Sequence, residues 1–151
     1  MEKTHFHSRS IEKELFIKAT SERVFRALTE KEDLERWFMK TAEVDLHPGG
    51  AIRFEWGPGV FNFGKILVLE PLHRLSYTWE ALSPSATTVI FELTAENDGT
   101  LLHLIQAGIG EGEDWDRYYN LSNNGWSVHL KNLTIWLETG ISEPHRPGKS
   151  R

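Results

Sequence analysis

The sequence contains no cysteine, which excludes disulfide bonds, thiolate metal ligands and cysteine nucleophiles. It has no run of about 18 apolar residues that could span a membrane, and residues 1–17 lack the apolar segment of a signal peptide. Basic residues are also few, with 17 Lys and Arg against 22 Asp and Glu and no basic cluster of the kind that binds nucleic acid. We therefore expect a cytoplasmic protein without a membrane span or a nucleic-acid partner.

Catalytic and metal-binding motifs are missing as well. The sequence has none of the short motifs of serine hydrolases, zinc proteases, P-loop NTPases or dinucleotide-binding domains. An acidic run lacks the spacing of a calcium-binding loop and suits the first turn of a helix, where the helix dipole favours negative charge: Glu111, Glu113, Asp114 and Asp116. These absences predict no metal ion and no cofactor, and they favour a binding protein over an enzyme.

The length of 151 residues predicts one domain, which can bury about 70% of its unfolded surface without a metal or disulfide. Residues 1–9 are polar, and residues 141–151 contain proline and charged residues, so we expect both segments to be flexible. The domain itself is predicted to span 10–140.

The longest segment with helical periodicity is 114–139. Its apolar residues recur every three or four positions, which places them on one face of a helix: Tyr119, Trp126, Leu130, Leu133 and Leu137. Asp114 is the predicted N-cap, and Gly140 marks the end of the helix. Gly125 lies in a polar stretch of poor helix formers, so a kink near this residue is an open alternative. We predict a continuous helix in which this glycine lets helix and sheet approach closely.

Seven segments have the alternation or composition of β-strands: 10–18, 42–46, 51–56, 60–69, 75–80, 87–95 and 100–107. After the first of them, Thr20 or Ser21 caps one short helix, and a capping box from Thr29 to Glu32 opens another that ends near Trp37. This order predicts an α+β domain in which a curved antiparallel sheet wraps around the long C-terminal helix.

Strand alternation also predicts which side chains face the helix. The candidates for the inner face are Ile52, Phe54, Trp56, Leu75, Tyr77, Trp79, Val89, Phe91 and Leu93. On the last strand two registers are open: either Leu102 and Leu104 point inward, or Leu101, His103 and Ile105 do.

An ordered set of residues across 10–140 resembles a known family. The set comprises Leu28-Thr29, Leu34, Trp37, Pro48-Gly49-Gly50, Gly64, Glu70-Pro71, Arg74-Leu75, Tyr77-Thr78-Trp79, Gly99-Thr100, Gly125-Trp126, Leu130 and Leu133. It resembles homologues of the activator of the ninety-kilodalton heat-shock chaperone's ATPase, within the helix-grip superfamily of START domains, the birch-pollen allergen and polyketide cyclases. The resemblance implies a cavity between sheet and helix. Relatives often carry a histidine near the end of the last strand, where this sequence has Gln106. The resemblance therefore gives weaker support for a polar role at this position.

Large aromatic residues are numerous, with six Trp and eight Phe, and such side chains can wall a cavity. The predicted ligand-binding residues are Trp37, Phe54, Trp56, Phe61, Phe63, Tyr77, Trp79, Trp126, His129 and Leu133. The leading hypothesis is a domain that binds a small hydrophobic ligand, whether aromatic, acyl or lipid-like. One alternative, from the resemblance, is a co-chaperone that modulates the chaperone's ATPase. Another is a cyclase- or hydrolase-type enzyme with His129, Glu55 or Arg53 as acid or base.

Two of these assignments remain open at the level of sequence. Arg53 and Glu55 alternate with apolar neighbours, so the pair lies either inside the cavity or on the solvent face. His129 lies next to the helix stripe and is either part of the cavity wall or a hydrogen-bonded residue at the edge of the core.

Overall fold

The computed structural model describes residues 8–142. Seven strands and three helices follow in the order β1 (Arg9–Ile17), α1 (Ser21–Thr29), α2 (Lys31–Trp37), β2 (Thr41–Val44), β3 (Ala51–Gly57), β4 (Val60–Glu70), β5 (Arg74–Trp79), β6 (Thr87–Glu96), β7 (Gly99–Ile109) and α3 (Glu113–Thr139). The α+β prediction is confirmed. The segments predicted to be flexible, 1–9 and 141–151, lie almost wholly outside the described residues, and Arg9 already belongs to β1.

The strands form a single antiparallel sheet in the order β1-β7-β6-β5-β4-β3-β2. From β2 to β7 each strand pairs with the next one along the chain, as a meander does. β1 pairs with β7, so the first strand extends the sheet at the end away from β2. The concave face carries the core, which also takes in buried side chains of all three helices.

The predicted inner faces of the central strands are confirmed, since Phe54, Tyr77 and Phe91 are all 2% exposed or less. On β7 the first of the two registers is correct, because Leu102 and Leu104 are fully buried. Their neighbours Leu101, His103 and Ile105 are half-buried on the convex face.

On that convex face His103 joins three strands. Its ring nitrogens lie 3.2 Å from the carboxylate of Glu12 on β1 and 3.3 Å from that of Glu92 on β6. Arg74 on β5 continues the row, 3.6 Å from Glu92. Burial lowers the pKa of His103, but the two carboxylates outweigh it, so the pKa lies above its ordinary value. The protonated imidazole therefore links neighbouring strands electrostatically.

Helix α3 is continuous over 27 residues, through the polar stretch before Gly125. Its apolar stripe is confirmed, because the following residues are buried or pack against the core: Tyr119, Trp126, Leu130, Leu133 and Leu137. The N-cap prediction was wrong. The helix begins one residue before Asp114, after Gly112, whose φ of 114° suits only glycine well. The predicted end is confirmed at Gly140, which caps the helix in the left-handed conformation.

The two short helices form the predicted corner, although one of their caps differs from the prediction. Thr20 caps α1 by accepting a hydrogen bond from the Arg23 amide. The capping box was wrong: Thr29 belongs to α1 and its hydroxyl donates to the Phe25 carbonyl, so Glu30 precedes α2 without a side-chain cap. A hydroxyl bound to its own helix cannot cap the next one.

A buried carboxylate ties all three helices together at the C-terminal end of α3. Asp33 on α2 accepts hydrogen bonds from Arg23 on α1, at 2.7 Å, and from the Trp136 indole on α3, at 2.9 Å. Burial raises the pKa of Asp33, but these two hydrogen bonds outweigh it and hold the pKa below its ordinary value. The second half of α3 is therefore fixed to the helical corner.

Candidate ligand-binding pocket

A pocket of about 270 Å³ opens between the first half of α3 and the sheet. Twelve residues line it: Phe38, Trp56, Val60, Asn62, Trp79, Leu82, Tyr118, Leu121, Ser122, Gly125, Trp126 and His129. Five of the twelve are aromatic rings other than histidine. A second void, beside Phe54 and Tyr77, measures about 10 Å³, room for at most one water molecule. A further opening of about 250 Å³ lies at the β2–β3 hairpin and has no aromatic side chain in its lining, which comprises Glu43, Val44, Asp45, Ala51, Ile52 and Arg53.

Phe38 lies at the centre of the aromatic wall. Its ring centre is 5.4 Å from Trp56, 6.0 Å from Trp79 and 5.3 Å from Trp126. It also contacts His129 edge-on at 4.9 Å. Rings packed in these offset and edge-on arrangements hold one another in place. The rings of the wall therefore support one another.

Trp56 reaches the pocket from the inner face of β3, which it shares with Phe54 by strand alternation. The register between β3 and β4 shifts beside it, between Glu55 and Gly57, so Trp56 has no opposite residue. The Trp56 indole then donates to the buried Asn62 at 2.8 Å, and the Asn62 amide donates to two carbonyls after β5. All three polar bonds of the Asn62 side chain thus serve to hold the wall.

Gln106 joins the helix to the sheet behind the pocket. It is fully buried, and its amide oxygen accepts a hydrogen bond from the Trp126 indole at 2.8 Å. Its amide nitrogen lies 3.0 Å from the Thr87 hydroxyl and 2.8 Å from the Tyr118 hydroxyl. Gln106, at the position where the resemblance gave only weak support for a polar role, therefore does hold one, since it positions two side chains of α3 that line the pocket.

The helical side of the pocket is formed by a face next to the apolar stripe. Tyr118, Ser122, Gly125 and His129 follow at spacings of four, three and four, so they share that face. Gly125 does not mark the close approach that the sequence predicted. A Cβ atom there would meet nothing nearer than the His129 ring at 4.0 Å. The missing side chain leaves open space, and this space belongs to the pocket.

Apolar side chains surround the mouth of the pocket. Val60 is 45% exposed, Leu82 54% and Leu121 67%. They come from the first residue of β4, the β5–β6 loop and α3. Exposed aliphatic groups beside an aromatic pocket favour a ligand that is apolar and extends to the surface.

Four of the ten predicted ligand-binding residues line this pocket: Trp56, Trp79, Trp126 and His129. Four others belong to the core and are not among the lining residues: Trp37, Phe54, Tyr77 and Leu133. Trp37 is held between the short helices, where its indole donates to the Ala27 carbonyl. His129 lies in the wall of the pocket.

Phe61 and Phe63 lie on the convex face, away from the pocket. Phe54 points inward and pairs with Asn62, so the odd-numbered neighbours of Asn62 must point outward. Arg53 is on the same outer face, with its guanidinium 4.2 Å from the Phe61 ring centre. Arg53 and Glu55 therefore do not line the pocket, and the solvent-face reading of this pair is correct.

The sequence reading missed eight lining residues: Phe38, Val60, Asn62, Leu82, Tyr118, Leu121, Ser122 and Gly125. The strongest available signal was helical, because Ser122 and Gly125 share a face with His129. Phe38 was passed over in favour of Trp37. It is the first residue after α2, and the chain changes direction there.

The described part of the chain contains neither a metal-binding cluster nor a membrane-spanning helix. Within residues 8–142 no three His, Asp or Glu side chains are grouped so that they could hold a metal ion. No helix in the same range is both long enough and apolar enough to cross a membrane.

A curved antiparallel sheet around a long C-terminal helix, with an aromatic pocket between them, defines a helix-grip domain of the START-like class. The chain belongs to the family described as Activator of Hsp90 ATPase homolog 1-like protein, which matches residues 18–138. This confirms the resemblance seen in the sequence.

Solved structures with the same fold come from several bacteria. Protein MLL2253 from Mesorhizobium loti is 27% identical, with a TM-score of 0.78 over 86% of this chain and 97% of that chain. CalU16 from Micromonospora echinospora is also 27% identical, with a TM-score of 0.74 over 87% and 75%. The Aha1 dimer from Colwellia psychrerythraea is 24% identical, with a TM-score of 0.78 over 87% and 98%. No curated protein matches the sequence significantly.

Proposed function

We propose that this protein binds a small planar aromatic compound in the pocket between the first half of α3 and the sheet. The single observation that carries the proposal is an open pocket whose wall includes the aromatic side chains of Phe38, Trp56, Trp79 and Trp126. Densely packed cores leave few voids larger than a water molecule, so an opening of this size among aromatic rings fits a ligand site.

The pocket's volume sets the size of the ligand. At about 270 Å³ it is nearly twice the roughly 150 Å³ cavity that binds one benzene ring. A compound with two fused rings fills it, and larger substituents extend through the apolar mouth. Rigid ring walls match flat ring systems better than flexible acyl chains, which also lose conformational entropy when they are bound.

The test is a thermal-shift titration with three probes: naphthalene, indole and decanoate. A ligand at a hundred times its dissociation constant adds about 2.7 kcal/mol to the free energy of unfolding. We expect naphthalene and indole to raise the melting temperature and decanoate to raise it less. Stabilisation by decanoate alone would mean that the ligand is an acyl compound and not an aromatic one. A lack of response to all three probes would contradict the proposal.

Two leucine substitutions on the same helix locate the site. Gly125→Leu projects a branched side chain into the pocket, whereas Val128→Leu enlarges a side chain that is 57% exposed and outside the pocket lining. The first variant is expected to abolish the ligand-induced shift and the second to retain it. Equal shifts in both variants would place the binding elsewhere. Chemical conversion of the bound probe, followed by mass spectrometry, would favour the cyclase- or hydrolase-type alternative.

A second candidate function is an interaction with the ninety-kilodalton heat-shock chaperone, which the family description favours. The exposed side chains of Leu121 and Val128, seven residues apart on one face of α3, offer an apolar contact for it. The test is the chaperone's ATPase rate with and without this protein. Stimulation that is lost in a Leu121→Glu, Val128→Glu double variant would support this function, and an unchanged rate would contradict it.

A further inference from the structure

We infer that Tyr118 determines the specificity of the pocket by donating a hydrogen bond to a neutral carbonyl oxygen of the ligand. The inference deepens the proposed function and rests on it. It follows from the direction of the hydrogen bonds around Gln106, which the chemistry of the partners fixes without reference to hydrogen positions.

The chain of reasoning begins at Trp126. An indole N–H group can only donate a hydrogen bond, so the atom of Gln106 that it meets at 2.8 Å must be the amide oxygen. The orientation of the Gln106 amide is thereby determined. Its nitrogen must then face the two hydroxyls on the other side, those of Thr87 and Tyr118.

The amide nitrogen carries two hydrogen atoms and has no acceptor capacity in this role. It therefore donates one hydrogen bond to Thr87 and the other to Tyr118. Gln106 is fully buried, so water does not compete for these bonds. The Tyr118 oxygen must accept, and its own proton must point away from Gln106.

Tyr118 is one of the pocket's lining residues, and its ring packs edge-on against Trp115 at 5.7 Å. A hydroxyl proton that is turned away from Gln106 is therefore available to a ligand in the pocket. Among the described residues, the Tyr118 hydroxyl has one hydrogen-bond partner, the Gln106 amide. A hydroxyl oriented in this way presents a donor to any ligand that enters, and the matching group is an acceptor oxygen.

The charge of the lining distinguishes between acceptors. Of the twelve described residues around the pocket, none is Lys or Arg, and His129 is the one that can become cationic. A buried carboxylate would need that imidazole in its protonated form, whereas a carbonyl needs only the one donor. The ligand class is thus an aromatic ketone, aldehyde, quinone or lactone.

Calorimetric titration with a matched pair of bicyclic probes tests this inference. 1-Tetralone and tetralin have the same ring skeleton, and only the ketone carries an acceptor. We expect wild-type protein to bind the ketone more tightly, and Tyr118→Phe to weaken ketone binding about two- to tenfold, as the loss of one hydrogen bond does. Tetralin binding is expected to stay unchanged. The control Tyr119→Phe, next to it but outside the pocket lining, should bind both as wild type does.

Infrared spectroscopy gives a second measurement that needs no substitution. The carbonyl stretch of ¹³C-labelled 1-tetralone bound to wild-type protein is expected at lower frequency than in an aprotic solvent, and to return toward the aprotic value in Tyr118→Phe. A bound ketone with its stretch at the aprotic position would overturn the inference and leave the proposed function intact. Equal effects of Tyr118→Phe on ketone and hydrocarbon would overturn it too. Binding of neither probe to wild type would overturn the proposed function itself.

Discussion

Replacing Gly125 by alanine should stabilise the protein and at the same time weaken ligand binding. Gly125 lies in the interior of a 27-residue helix with ordinary helical backbone, where glycine costs conformational entropy that alanine does not. A glycine at this position does not contribute to helix stability, so its role is sought elsewhere. The pocket supplies a role, because a Cβ atom would extend into its open space.

The magnitude follows from two considerations. In helix interiors glycine is about 0.8–1.0 kcal/mol less favourable than alanine. The new methyl group meets no atom nearer than 4.0 Å, so no steric penalty reduces this gain. We expect Gly125→Ala to raise the free energy of unfolding by about 0.5–1 kcal/mol, and the melting temperature by about 1–4 °C for a chain of this size.

Urea denaturation followed by circular dichroism measures the stability, and calorimetry with the bicyclic probes measures binding. The matched control is Asn124→Ala, at the exposed neighbouring position, which should leave binding unchanged. Destabilisation of Gly125→Ala by about 1 kcal/mol or more would refute the reasoning, because it would mean that helix and sheet are in close contact at this position and that the pocket is filled.

Three further substitutions test the contacts that hold the pocket's surroundings. Asp33→Asn should lower the free energy of unfolding by about 1.5–3 kcal/mol at pH 7, since it removes the charge paired with Arg23. Because the pKa of Asp33 is depressed, this difference from wild type should hold above its ordinary pKa of about 4 and shrink as the pH falls further, in urea titrations across that range. His103→Gln should differ most from wild type below about pH 6.5 and converge with it as the pH rises through the elevated pKa of His103; a pH-independent difference would contradict this. Trp126→Phe should cost about 1–3 kcal/mol, because it leaves the buried oxygen of Gln106 without its donor, and an unchanged denaturation midpoint would count against that hydrogen bond.

The fold was largely predictable because it follows from periodicity. Alternation along the strands placed Phe54, Tyr77 and Phe91 on the inner face, and the helical stripe at Trp126 and Leu130 identified the face of α3 that packs on the sheet. These patterns are local, and the burial of apolar surface is what creates them. Helix caps were less predictable. Thr29 fits a capping-box pattern, but its hydroxyl bonds within its own helix.

The pocket was predictable only in part, since it depends on where the packed side chains leave space and not on which side chains are aromatic. Trp37 and Trp56 are alike in type, but one packs between two helices and the other borders the pocket. The role of Gln106 depends on contacts 12, 19 and 20 residues apart, which no local pattern reveals. Gly125 looked like a point of close packing, and only the three-dimensional arrangement identifies it as open space.

The most direct test of the central claim is a nuclear magnetic resonance titration of ¹⁵N-labelled protein with 1-tetralone, observed at the six tryptophan indole N–H signals. Three of these side chains line the pocket, Trp56, Trp79 and Trp126, and the other three do not, namely Trp37, Trp115 and Trp136. An aromatic ligand in the pocket predicts saturable shifts of the first three signals and little change in the others. Uniform shifts, shifts confined to the second group, or no shifts at all would contradict the account.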